Sequence, residues 1–124
     1  GVIIKEVIMR IILLSFLIFI SIHVKAGDFL TAAVPTGIDI VQAGNTGFMI
    51  YGQFGNKGCT TSNSVFVKLE HPQYAQIYST ALAAFMAGKK IQAYTHGCEA
   101  VGWYSNASIT YNVLGPSGSL YLRN

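Results

Sequence analysis

The apolar residues of this chain follow three kinds of spacing. Residues 11–22 are an almost unbroken apolar run behind Arg10. Further on the pattern alternates: Phe48, Ile50, Gly52 and Phe54 share one face of an extended segment, and Met49, Tyr51 and Gln53 the other. Alternation of this kind predicts strands over residues 38–41, 48–54, 65–69, 91–95 and 108–114. In the last, Ile109, Tyr111 and Val113 alternate with Thr110, Asn112 and Leu114. Between the third and fourth strands the period changes. Tyr74, Ile77, Tyr78, Ala81, Leu82 and Phe85 recur at three- and four-residue spacing, which is one stripe of a helix.

The punctuation agrees with these elements. Residues 27–34 are a short leader, and Pro35-Thr36-Gly37 is a turn. Gly44-Asn45-Thr46-Gly47 reads as a hairpin turn, because Asn and Gly tolerate positive φ. Residues 55–64 are the most polar stretch and form a loop carrying Cys59. Pro72 fits the first helical position, where a missing N–H costs nothing, and Gly88 supplies the left-handed position after the helix. Lys89 and Lys90 sit near the negative end of its dipole. Val101 to Tyr104 can continue the fourth strand after a bend, and residues 119–122 add a short terminal strand after the turn at 115–118. Three strands, a helix and two further strands predict a mainly β fold with one helix. The expected form is an OB-fold-like five-stranded barrel with its helix between strands 3 and 4. An α+β sandwich with one helix on a sheet is the rival.

The first apolar run reads as an export signal over residues 9–26. Val24 and Ala26 are the small residues a signal peptidase accepts three and one positions before a cut at Gly27. Residues 1–8 precede Met9 and read as an upstream extension or a cloning remnant. A retained anchor is the alternative. However, the run falls short of the roughly 20 residues a spanning helix needs. Extending it back would bury Lys5, Glu6 and Arg10 in hydrocarbon. The mature chain is then residues 27–124, a single domain, secreted or periplasmic.

Removing the signal changes the composition. The chain is 52% hydrophobic with net charge +3, but both figures are inflated by its first 26 residues. The remainder carries Lys57, Lys68, Lys89, Lys90 and Arg123 against Asp28, Asp39, Glu70 and Glu99, which nets to +1. No nucleic-acid footprint is expected, nor stable membrane insertion after cleavage. Cys59 and Cys98 are an even pair in an oxidising compartment and read as one disulfide. Closing a loop of about 40 residues contributes roughly 4 kcal/mol in the chain-entropy account. A reactive thiol at Cys98 beside His96 is the competing reading.

Residues 77–94, which run from Ile77 through Ala81, Phe85 and Gly88 to Tyr94, resemble a helix–Gly–strand segment of small exported bacterial OB-fold proteins. The named group they resemble is the B subunits of AB5 toxins of the subtilase-cytotoxin and pertussis-like kind. The resemblance covers about a fifth of the mature chain, and no sugar-contacting residue is carried over. It implies a ring-forming, non-catalytic homo-oligomer that binds cell-surface glycans, with a pentamer and a catalytic A subunit as the fullest form.

Catalytic chemistry finds little footing. Asp28, Asp39, Glu70, Glu99, His71 and His96 are scattered, and acid–base work needs them held together. His71 and His96 lack zinc spacing, so no metal and no cofactor is expected. No P-loop, Rossmann or nucleophile-elbow motif is present. A small hydrolase is therefore the weakest reading, and no catalytic residue is assigned. Binding is more plausible, because sugars need aromatic platforms edged by amides and hydroxyls. Trp103, Tyr104 and Asn106 make one such mixture, and Thr60, Thr61, Ser62 and Asn63 another. A Cys59–Cys98 bond would draw the two closer. Against this stands a plainer reading, in which Trp103 anchors a core or interface and the Thr/Ser run is a solvated loop. The sequence thus predicts an exported, non-catalytic binding module, glycan-binding and homo-oligomeric. A monomeric periplasmic inhibitor or protein-interaction domain is the alternative.

Overall fold

The computed structural model describes residues 2–19, 26–41, 46–103 and 108–124. Its elements are α1 (Val2–Phe19), β1 (Asp28–Phe29), β2 (Gly37–Asp39), β3 (Gly47–Tyr51), β4 (Ser64–Lys68), α2 (Tyr74–Ala87), β5 (Lys90–Thr95), β6 (Gly97–Glu99), β7 (Tyr111–Leu114) and β8 (Ser119–Arg123). The fold is mainly β. Among the described residues there are two helices rather than one, the extra one being α1, which falls largely on the segment read as a signal. Unbroken by Gly or Pro, it exposes the side chains of residues 3–12. Val24 and its neighbours lie outside the described residues. No described helix is long and apolar enough to cross a membrane.

Where five strands in one barrel are expected, the strands form two sheets and no closed barrel. One sheet has the order β1-β5-β8, the other β2-β3-β4-β7-β6. Every pairing is antiparallel except β4 with β7. Two stretches of chain belong to both sheets. Residues 28–39 enter as β1, bridge Ala33 to Ile91, and leave as β2. Residues 90–99 begin as β5, bend at His96 and end as β6. The short β1 and β6 arise from these bends, which period alone does not show.

The alternation predicted for β3, β4 and β7 is present. Phe48 pairs with Val67 and Ile50 with Val65, and all four face inward with Phe54, Ile91, Ala93 and Leu114. Met49 pairs with Phe66 on the opposite face, where Val101 and Tyr111 join them. The large sheet is thus buried on both sides. Gly47 permits this close pairing, since a Cβ there would collide with the Val67 carbonyl oxygen.

Helix α2 packs on the inner core through Ile77, Ala81 and Ala84. Tyr74 and Tyr78 meet Phe48 edge-on at 5.3 Å each. Burial first, and the neighbouring Tyr78 next, push the Tyr74 hydroxyl above its ordinary range. Two members of the expected stripe, Leu82 and Phe85, are 40% exposed. Alanines at the contact bring the helix close, which narrows the buried stripe and leaves its flanks out. Pro72 sits in the preceding turn, one residue before Gln73, which holds the N-cap position without a side-chain hydrogen bond to the helix. Gly88 ends it at φ 68°, as expected. Residues 101–103 form no strand; they turn across the outer face of the large sheet, where Val101 is buried.

Candidate functional site

The Thr/Ser loop is occupied by the fold itself. Cys59 and Cys98 form a disulfide with Cα atoms 5.5 Å apart. Beside it, the Thr60 N–H donates to Thr110 Oγ1 at 3.1 Å and the Thr110 N–H to Thr60 Oγ1 at 2.8 Å. Thr61 Oγ1 donates to the Thr110 carbonyl at 3.0 Å, and Ser62 Oγ accepts from Asn56 Nδ2 at 2.6 Å. The Asn63 carbonyl accepts from the Gly52 N–H at 3.0 Å, while Asn63 itself is exposed. Buried Asn112 completes the anchor by donating through Nδ2 to the Gly55 and Ser64 carbonyls, each at 2.9 Å. These hydroxyls and amides hold the disulfide loop against β7.

Trp103 stands elsewhere. Half-buried, it meets Phe66 edge-on at 5.7 Å and donates from Nε1 to Thr46 Oγ1 at 3.3 Å. Thr46 lies beyond the Lys68 end of β4, bonded to Leu69, whereas the Thr60–Asn63 loop leads into Ser64 at its start. That separation is roughly 16 Å of strand. The disulfide therefore does not bring Trp103 into one pocket with the Thr60–Asn63 loop. Tyr104 and Asn106 lie outside the described residues.

Around Trp103 the outer face opens into a trough of about 310 Å³ walled by Thr46, Phe66, Lys68, Glu99 and Val101. A second trough of about 310 Å³ continues past the same Lys68 and Glu99 to His96, Val113 and Pro116. Between them, Lys68 Nζ lies 3.0 Å from Glu99 Oε2 and 3.4 Å from Glu70 Oε1. The hydrogen bond to Glu99 leads in holding the Lys68 ammonium above its ordinary range, against a burial cost, and Glu70 adds to it. The Glu70 carboxyl is held low, first by its own backbone N–H and then by Lys68, against desolvation. Chemically this is an aromatic wall beside a fixed ion pair, suited to holding hydroxyl-bearing ligands rather than to proton transfer.

The histidines are placed apart. His71 is buried, accepts the Gln73 N–H at Nδ1 (3.0 Å) and so donates from Nε2 to the Gly118 carbonyl at 2.8 Å. That is a clamp between the start of α2 and the turn before β8. His96 packs edge-on to Tyr94 at 5.2 Å. Among the described residues no three His, Cys, Asp or Glu side chains gather as a metal ion would require.

One group of residues carries no sequence motif. On the outer face of the small sheet Phe29 lies 4.8 Å from Tyr94 and 5.6 Å from Tyr121, and Phe29 and Tyr121 are 48% and 37% exposed. The polar alternation of Lys90, Gln92 and Tyr94 in β5 hints at an open face. Only the pairing of β1, β5 and β8 shows that the rings meet.

No curated protein and no solved structure matches the chain. A model of a family of unknown function, DUF5992, matches residues 9–107, and the chain belongs to that family.

Proposed function

We propose that the protein is an exported, non-catalytic binding module that takes a glycan in the trough beside Trp103 and works as a homo-oligomer. The observation that carries the reading is the trough itself: an indole and a phenyl ring beside hydroxyl, ammonium and carboxylate groups held by each other. Sugars present apolar ring faces and a hydroxyl rim, so this mixture matches them. The disulfide and the exposed apolar start of α1 support export with removal of the leader. The two shared stretches and the parallel β4–β7 pair support a partly open barrel of the OB kind. Leu82, Phe85, Met86 and Leu122 are exposed apolar residues on α2 and β8, and they support contact between copies.

A glycan array probed with protein secreted from the full chain tests the reading. Retention on at least one glycan is expected, weakened about tenfold in Trp103→Ala. Silence on every glycan, or retention that ignores the substitution, defeats it. The second reading is a monomeric protein-binding domain, favoured by the position of β8 at a sheet edge, where an extended partner can add a strand. A single-subunit mass by light scattering at micromolar concentration selects it over the oligomer.

A further inference from the structure

The small sheet leaves its outer face uncovered, and that face is chemically ordered. In β5 and β8 the register sets Lys90 opposite Arg123, Gln92 opposite Tyr121 and Tyr94 opposite Ser119. Phe29 of β1 lies opposite Tyr94. Side chains directly opposite share a face, so the aromatic rings grade into two cations. The row is braced. Gln92 Nε2 donates to the Leu30 carbonyl at 2.9 Å, and its Oε1 accepts from Arg123 Nε at 3.1 Å. Arg123 Cζ then rests 4.8 Å from the Tyr121 ring centre.

Two features of this row are unexplained by folding. Lys90 and Arg123 are like charges in directly opposed positions, an arrangement that costs stability. Among the described residues no acidic side chain forms an ion pair with Lys90 or Arg123, so neither opposed cation is neutralised by one. The rings are also left open to solvent where the large sheet covers its own. Beyond β8, Tyr121 and Ser119 run into a cleft of about 300 Å³ edged by Gln73, Gln76 and Thr80.

We infer that this face is a second binding site, for an acidic oligosaccharide. Sugar rings lie on Phe29, Tyr94 and Tyr121, a carboxylate faces Lys90 and Arg123, and hydroxyls of a neighbouring sugar reach the amides of the cleft. Charge complementarity selects the acid. Ring geometry selects the sugar over a nucleic acid, because Phe29 is tilted 56° to Tyr94 and 46° to Tyr121, a curved surface rather than a parallel stack. The modest net charge of residues 27–124 gives little general attraction for a phosphate backbone. None of Phe29, Tyr94, Tyr121, Lys90, Gln92 or Arg123 lines the Trp103 trough, so the site stands independently of it.

Calorimetric titration of the secreted protein tests the site with three probes: a galacturonic acid trimer, cellotriose and a (dT)6 oligonucleotide. The acidic trimer is expected to bind at least about tenfold more tightly than cellotriose, and the double substitution K90Q/R123Q to abolish that difference. Trp103→Ala is expected to leave the acidic trimer unaffected. Both cations are exposed, and a thermal melt checks that the double variant folds. Should it not, salt titration of the unsubstituted protein decides, since affinity for the acidic trimer must fall with salt while that for cellotriose stays level. Equal affinity for the two sugars, no binding of the acidic trimer, preference for (dT)6, or loss of binding in Trp103→Ala each overturns the inference.

Discussion

The strands of the large sheet and those of the small one have similar compositions but different surroundings. In β3 and β4 every residue except the last is buried, because α2 and the inner core cover one face and Val101, Trp103 and Ile109 help cover the other. In β5 the pattern is exposed, buried, half-buried in turn, with solvent on one side. Aromatic residues therefore do different work in the two places. Phe66 and Trp103 close a second small core, and only part of the indole remains to line a trough. Phe29 and Tyr121 close nothing.

The sharpest way to break this contrast is to remove one ring from each region. Phe48→Ala is expected to cost about 3–5 kcal/mol in urea unfolding, as for a fully buried ring. Phe29→Ala is expected to cost under about 0.5 kcal/mol, as for an open surface position. Similar losses would mean that the small sheet is covered after all.

The disulfide offers the next test, since it fastens β6 at the edge of the large sheet to the loop before β4. Cys59→Ser with Cys98→Ser should lose about 2–4 kcal/mol. Exported protein found by intact mass to carry two free thiols would remove this prop from the fold.

The smallest effect is that of pH on the ion pairs of the outer face. Lys68 is held above its usual 10.5, so its contribution is complete below pH 10.5 and disappears as pH rises through the folded value. Glu70 is held below its usual 4.5, so its contribution is present above pH 4.5 and disappears as pH falls through the folded value. Melting temperature followed against pH should therefore lose these two contributions only at the acid and alkaline ends. Lys68→Gln should flatten the alkaline end, and the acid end only in part, since the Glu70 backbone N–H remains. A slope near neutrality that Lys68→Gln removes would contradict this assignment.

Much of the fold is legible in residue spacing, because the large sheet separates Phe48 and Ile50 from Met49 and Tyr51 in the way alternation predicts, although β3 ends at Tyr51, short of Phe54. Gly88 and the cysteine pair are equally plain. Leu82 and Phe85 mislead, since helical spacing identifies a face but not how wide a stripe its neighbour covers. The candidate site was less readable. Thr60 and Thr61 look like free hydroxyls until Thr110 is seen bonded to both, fifty and forty-nine residues away. The opposition of Lys90 to Arg123 depends on strand register, which no local pattern states.

The bent stretch from Lys90 to Glu99 has a thermodynamic consequence. Six of its ten residues pair in the small sheet and three in the large one, so opening either sheet pulls on the strand that the other holds. Slow amide exchange in β4 and in β5 should then report a single global opening. A ligand gripping either surface would slow both by the same factor.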